Sequence, residues 1–122
     1  YKRQELHNLT DTDNLNVVAF EKETMDKLGL IPEIAPRYRA TYFSHIIGGY
    51  AAGYYSYLWA EVLDTDAFEA FKEHGVFDKN TADSFRKNIL EKGGTEDPMT
   101  LYRGFRGADP SLEPLLKNRG LK

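Results

Sequence analysis

Apolar residues in this 122-residue chain recur at intervals of three and four, the spacing of one helix face, and not at the interval of two that marks a strand. Over residues 14–28, Val17, Phe20, Thr24 and Leu28 keep this spacing while Glu21, Lys22 and Glu23 fall between them. The pattern predicts an amphipathic helix capped by Asp13 or Asn14 and stopped by Gly29. Asp64-Thr65-Asp66 with Glu69 reads as a capping box opening a short helix that Gly75 ends, with Phe68 and Phe71 inward and His74 as a cation in the last turn. A further helix is predicted over 81–92, with Ala82, Phe85 and Ile89 inward and Gly93-Gly94 as its stop. Asp97 followed by Pro98 is an N-cap and first-turn pair for the next, whose Met99, Leu101, Tyr102 and Phe105 are apolar. Ser111 caps a last short helix to 118, with Pro114 in its tolerant first turn. Residues 1–13 are polar, read as a frayed helix end, a surface His7 and a loop at 10–13. Pro32 and Pro36 make 30–43 an extended connection. Alternating β-branched runs are absent, so the sequence predicts an all-α subdomain of five or six helices joined by short loops.

One stretch, 42–63, reads YFSHIIGGYAAGYYSYLWAEVL and holds five of the eight tyrosines, the single tryptophan and His45. Gly48 and Gly49 free the backbone, and a helix is predicted from about Ala51. On that helix Ala51, Tyr55, Leu58, Trp59 and Val62 form a core stripe, while Tyr50, Tyr54, Tyr57 and Glu61 fall on a different face. Tyrosines at helical spacing ordinarily pack against a neighbouring helix. Burying both faces leaves each phenol in need of a partner, which favours something outside the core for the second face to touch. Phenol and imidazole can donate to a carbonyl oxygen becoming an oxyanion, and short adjustable backbone lets them close on a substrate. Arg37 and Arg39, flanking Tyr38, read as salt-bridge partners, with carboxylate binding as the alternative.

The length is that of one domain, and 16 basic against 19 acidic side chains give a net charge of −3, which argues against a nucleic-acid surface. No apolar run reaches the length of a membrane span, so no membrane partner is expected. Without cysteine there is no disulfide, thiolate ligand or thiol nucleophile. Opening on Tyr1 in mid-pattern, the sequence reads as a fragment or processed piece.

The three histidines, His7, His45 and His74, have no metal-ligand spacing and none lies in HExxH, so no zinc site is expected within this chain. A Gly-x-Ser-x-Gly elbow and a phosphate loop are also missing, and the carboxylates lie scattered on polar faces. Any reactive centre would have to be borrowed from other polypeptide.

PRYRATYFSHIIGGYAAGYYSYLWAEVLDTDAFEAF, FRKNILEKGGTEDPMTLYRGFRG and the terminal LLKNRGL resemble the C-terminal part of the thimet-oligopeptidase family of zinc metallopeptidases, over about residues 14–122. The likeness is greatest to its bacterial peptidyl-dipeptidases, which remove dipeptides from peptide C-termini, with oligopeptidase A-like endopeptidases as the alternative. It implies a zinc held by HExxH and a downstream glutamate in a missing N-terminal portion, oligopeptide substrates, and a location that is cytoplasmic first and periplasmic second. It further implies that His45, Tyr57 and an assisting Tyr50 stabilise the oxyanion, that Gly48, Gly49 and Tyr54 bind substrate, and that residues up to about Tyr55 are loop. A segment of this kind is expected to be inactive alone. The competing reading is a stand-alone helical interaction module whose tyrosine face binds a partner.

Overall fold

A computed structural model describes residues 5, 6 and 8–122. The reading of residues 1–4 as a frayed helix end and of His7 as a surface histidine lies outside the described residues. Among these residues there are five α-helices: α1 (Val17–Lys27), α2 (Ser56–His74), α3 (Lys79–Phe85), α4 (Pro98–Arg106) and α5 (Glu113–Asn118). Tight 3₁₀ turns occupy Ala40–Tyr42, Ser44–Ile46 and Ala51–Tyr55, and a π-helical turn spans Arg86–Leu90. No strand occurs among the described residues, so the chain is all-α as its periodicity predicts. It divides into two compact units, Tyr1–Ser56 and Tyr57–Lys122.

In the first unit, Asn16 rather than Asp13 or Asn14 caps α1: its Oδ1 accepts the Ala19 N–H at 3.1 Å. Asn14 sits at φ 61, in the left-handed region, and belongs to the turn before the helix. Gly29, at φ 66, stops α1 as expected and donates its N–H to the Asp26 carbonyl. The buried face departs from the prediction. Thr24 is inside, but Leu28 is exposed and Glu21, expected on the polar side, is only 1% exposed. A carboxylate can be buried there because both oxygens are met. Arg39 donates to Oε2 at 2.9 Å and the Ala40 N–H to Oε1 at 2.5 Å, which ties the extended connection back onto α1.

In the second unit, α2 runs unbroken where a new helix was expected to open at Asp64. Thr65 satisfies its hydroxyl on the Glu61 carbonyl at 2.8 Å, and the Asp66 carboxylate accepts from Tyr102 instead of from amides of its own turn. The helix ends at Gly75, φ 115, whose N–H bonds the Phe71 carbonyl. Its buried residues are Val62, Thr65, Asp66, Ala67 and Ala70. Of the core stripe predicted from Ala51, only Val62 is buried, while Leu58 and Trp59 are exposed. Residues 51–55 are wound as 3₁₀, at three residues per turn, so Ala51 and Tyr55 do not extend the α-helical stripe.

Asp78 caps α3 by accepting the Thr81 N–H at 2.7 Å, so this helix starts at Lys79, ahead of the predicted Thr81. The predicted helix to 92 breaks after Phe85 into the π turn, where the Glu91 N–H reaches back to Arg86. Asp97 and Pro98 open α4 as read: Asp97 Oδ1 accepts the Thr100 N–H at 2.9 Å. Phe71, Phe85 and Phe105 meet with ring centroids 5.1 to 6.2 Å apart, and join α2, α3 and α4. Phe68, expected inward, is exposed with the Lys72 ammonium 5.4 Å from its ring centre.

Candidate functional site

The candidate residues of the first unit lie on the turns between Phe43 and Tyr55. After Phe43 the chain winds through Ser44–Ile46, and the amides of Ile47 and Gly48 both bond the Ser44 carbonyl, at 3.0 and 2.9 Å. Tyr50 then donates its amide to the His45 carbonyl at 3.3 Å, which folds the segment back on itself. The reversal depends on Gly49 at φ 103, in the left-handed region that residues with a side chain rarely adopt. Gly48 has ordinary backbone, but a Cβ there would stand 3.3 Å from the Ser44 carbonyl oxygen. Ala51 follows at φ 45, a strained position for a residue with a side chain. Tyr50 is therefore carried between two left-handed residues.

The side chains converge on this turn. His45 and Tyr50 have ring centroids 5.5 Å apart, His45 and Tyr54 5.1 Å, and Tyr50 and Tyr54 5.3 Å. The three rings form one triangle, of which Tyr50 is 37% exposed. Phe43 is buried beneath it, 5.1 Å from His45 and 5.2 Å from Tyr54, with Tyr38 stacked on Phe43 at 4.9 Å and 6°. Arg37 lies 5.3 Å from the Tyr38 ring centre, and Arg39 is committed to Glu21. The salt-bridge reading holds for Arg39, and Arg37 makes a cation–π contact.

The sequence singles out His45, Tyr50 and Tyr54 as candidates but gives neither their convergence nor the rings packed beneath them. Phe43 and Tyr38 lie in a proline-broken connection without periodicity, so nothing in the pattern says which way their rings turn. Tyr57, in the first turn of α2, belongs to the second unit and is 59% exposed. Glu61, one turn further along α2, is held by Arg119, whose Nη2 donates to Oε2 at 2.5 Å and whose Nε donates to Oε1 at 3.3 Å.

The described residues do not fit a catalytic metal. No three of their His, Asp and Glu side chains converge on one point. His45 lies among rings, and His74 is bonded through Nδ1 to the Ala70 carbonyl at 2.9 Å. A cavity of about 260 Å³ in the second unit is walled by Leu63, Ala67, Phe85, Ile89, Leu101 and Phe105, with no candidate residue among its lining. No helix among the described residues is long and apolar enough to cross a membrane.

The sequence profile of peptidase family M3 matches residues 3–121, nearly the whole chain. The chain belongs to peptidase family M3. This M3 chain is 57% identical to Oligopeptidase A of Escherichia coli over 81 residues, which cover 66% of the chain and 12% of that protein. It is 44% identical to Dipeptidyl carboxypeptidase of Escherichia coli over 114 residues, 93% of the chain and 16% of that protein. Oligopeptidase A of Haemophilus influenzae is 43% identical over 118 residues, 95% of the chain and 17% of that protein. The M3 chain thus spans between 12% and 17% of the length of these three relatives.

Proposed function

We propose that this chain is one helical subdomain of a zinc-dependent peptidyl-dipeptidase, an enzyme that removes dipeptides from the C-termini of oligopeptides, and that it forms part of the wall facing the substrate. The observation that carries the reading is the triangle of His45, Tyr50 and Tyr54 on a turn held by Gly49 and Ala51 in left-handed conformations. Backbone strain of the kind held at Ala51, about 1–3 kcal/mol, concentrates at ligand clamps, and here it sits beside donors suited to a peptide carbonyl.

In this reading the imidazole of His45 and the hydroxyls of Tyr50 and Tyr57 donate hydrogen bonds to the carbonyl oxygen as negative charge collects on it. Gly48 and Gly49 let substrate backbone approach, and Tyr54 packs against it. The zinc ligands are assigned to polypeptide outside this chain, since the residues described here do not fit the ion, and the subdomain alone is inactive. A dipeptide-releasing specificity is supported by the likeness to Dipeptidyl carboxypeptidase across 93% of the chain. The second reading, an endopeptidase fragment, is supported by the likeness to Oligopeptidase A, 57% identical over 66% of the chain in the Escherichia coli protein and 43% identical over 95% of the chain in the Haemophilus influenzae one.

A peptide-length series with the complete enzyme separates the two. Products that are always C-terminal dipeptides, at every substrate length, support the first reading. Internal cleavage with products of varied length supports the second.

A further inference from the structure

We propose that Arg119 is a positioning residue for the Tyr57 donor, acting by holding and neutralising Glu61. The inference rests on the reading of Tyr57 as an oxyanion donor. Tyr57 and Glu61 are four residues apart on the regular helix α2, which places them one turn from each other on the same face. Left to itself, the Glu61 carboxylate would be a poor neighbour for such a phenol. It can accept the hydroxyl proton that the substrate oxygen needs, and its charge opposes any negative charge gathering beside it.

The structure removes both problems with one side chain. Arg119, just past α5 and 58 residues along the chain, places Nε and Nη2 on the two Glu61 oxygens, at 3.3 and 2.5 Å. A two-point contact fixes the carboxylate's orientation as well as cancelling its charge, which a lysine could do only in part. Both side chains keep substantial solvent exposure, 48% for Arg119 and 41% for Glu61. Their pairing is therefore a weak source of stability, and positioning is the role left for so well aligned a contact.

The test compares Arg119→Ala, Arg119→Lys, the double variant Arg119→Ala with Glu61→Gln, and Tyr57→Phe, all in the complete peptidase, with kcat and KM measured separately. Arg119→Ala is expected to lower kcat about tenfold with KM nearly unchanged, because the uncompensated carboxylate acts on the transition state. Arg119→Lys is expected to fall between Arg119→Ala and wild type. The double variant lacks the clamp but also lacks the stray charge, and is expected to recover to within about threefold of wild type. A residue that merely pinned α5 to α2 would give no such recovery. The inference is overturned if Arg119→Ala leaves kcat unchanged, or if it lowers kcat and Glu61→Gln fails to restore it. Tyr57→Phe with wild-type turnover would instead overturn the underlying reading of Tyr57.

Discussion

Tyr102 on α4 donates a 2.5 Å hydrogen bond from its hydroxyl to the carboxylate of Asp66 in the middle of α2, two residues 36 positions apart and both buried. The Nε of Arg106 stands 3.6 Å from the same carboxylate, while its other two nitrogens hold Glu73 at 2.9 and 2.7 Å. A buried carboxylate is costly unless its oxygens are met, so this short chain of polar contacts fixes how α4 lies on α2.

Tyr102→Phe deletes one partner and leaves Asp66 buried. The expected loss is about 1–3 kcal/mol, the cost of stranding a buried acceptor. Urea denaturation followed by circular dichroism checks it: the midpoint falls while the slope stays the same.

The same bond makes stability fall at high pH. Burial, and then the hydrogen bond to Asp66, push the Tyr102 hydroxyl well above its ordinary value. A group raised in the folded state contributes stability that is complete below its unfolded pKa, about 10 for tyrosine, and lost as pH climbs from there toward the folded value. The wild-type chain should therefore lose stability above about pH 10 more steeply than Tyr102→Phe. Parallel alkaline unfolding curves for the two proteins would contradict this.

At the start of α4 the sign is reversed. The Thr100 amide bonded to Asp97 holds its carboxyl below the ordinary range, so the cap's contribution is present above the unfolded pKa and fades as pH falls through the folded one. Asp97→Asn keeps an acceptor at the cap but removes the titrating group. The protection factor of the Thr100 amide, its exchange rate taken relative to the intrinsic rate at each pH, is expected to fall in acid for the wild type and to lose that dependence in the variant.

Asp97, Pro98, Gly29 and Gly75 were legible in the sequence because a cap or a stop is decided within a few residues. Asp66 and Glu21 were not, since each owes its burial to a distant partner, Tyr102 in one case and Arg39 in the other. Asp66 carries the spacing of a capping box, and only α4 shows that its carboxylate is spent elsewhere. The candidate site divides along the same line. The density of phenols around Gly48 and Gly49 was plain, whereas the 3₁₀ winding of 51–55 was hidden from periodicity, as was the buried Phe43 beneath the rings.

The turn that carries Tyr50 makes unequal demands on its two glycines. Gly49→Ala forces a Cβ onto φ 103 and is expected to cost about 1–3 kcal/mol of local strain, displacing Tyr50 from His45. Gly48→Ala needs only a few tenths of an ångström of yielding around the Ser44 carbonyl. In the complete enzyme Gly49→Ala should lower kcat/KM by the larger factor, and a ranking with Gly48→Ala the worse of the two would contradict this account of the turn.

The central claim, that the phenols of this subdomain serve a reacting carbonyl, is tested most directly by the turnover of Tyr57→Phe in the complete enzyme. The substitution removes one oxygen from a side chain that is 59% exposed, and circular dichroism of the variant checks that the fold is kept. Loss of an oxyanion donor predicts a fall in kcat of about 10² to 10³ with KM nearly unchanged. A kcat within a few-fold of wild type would contradict the claim.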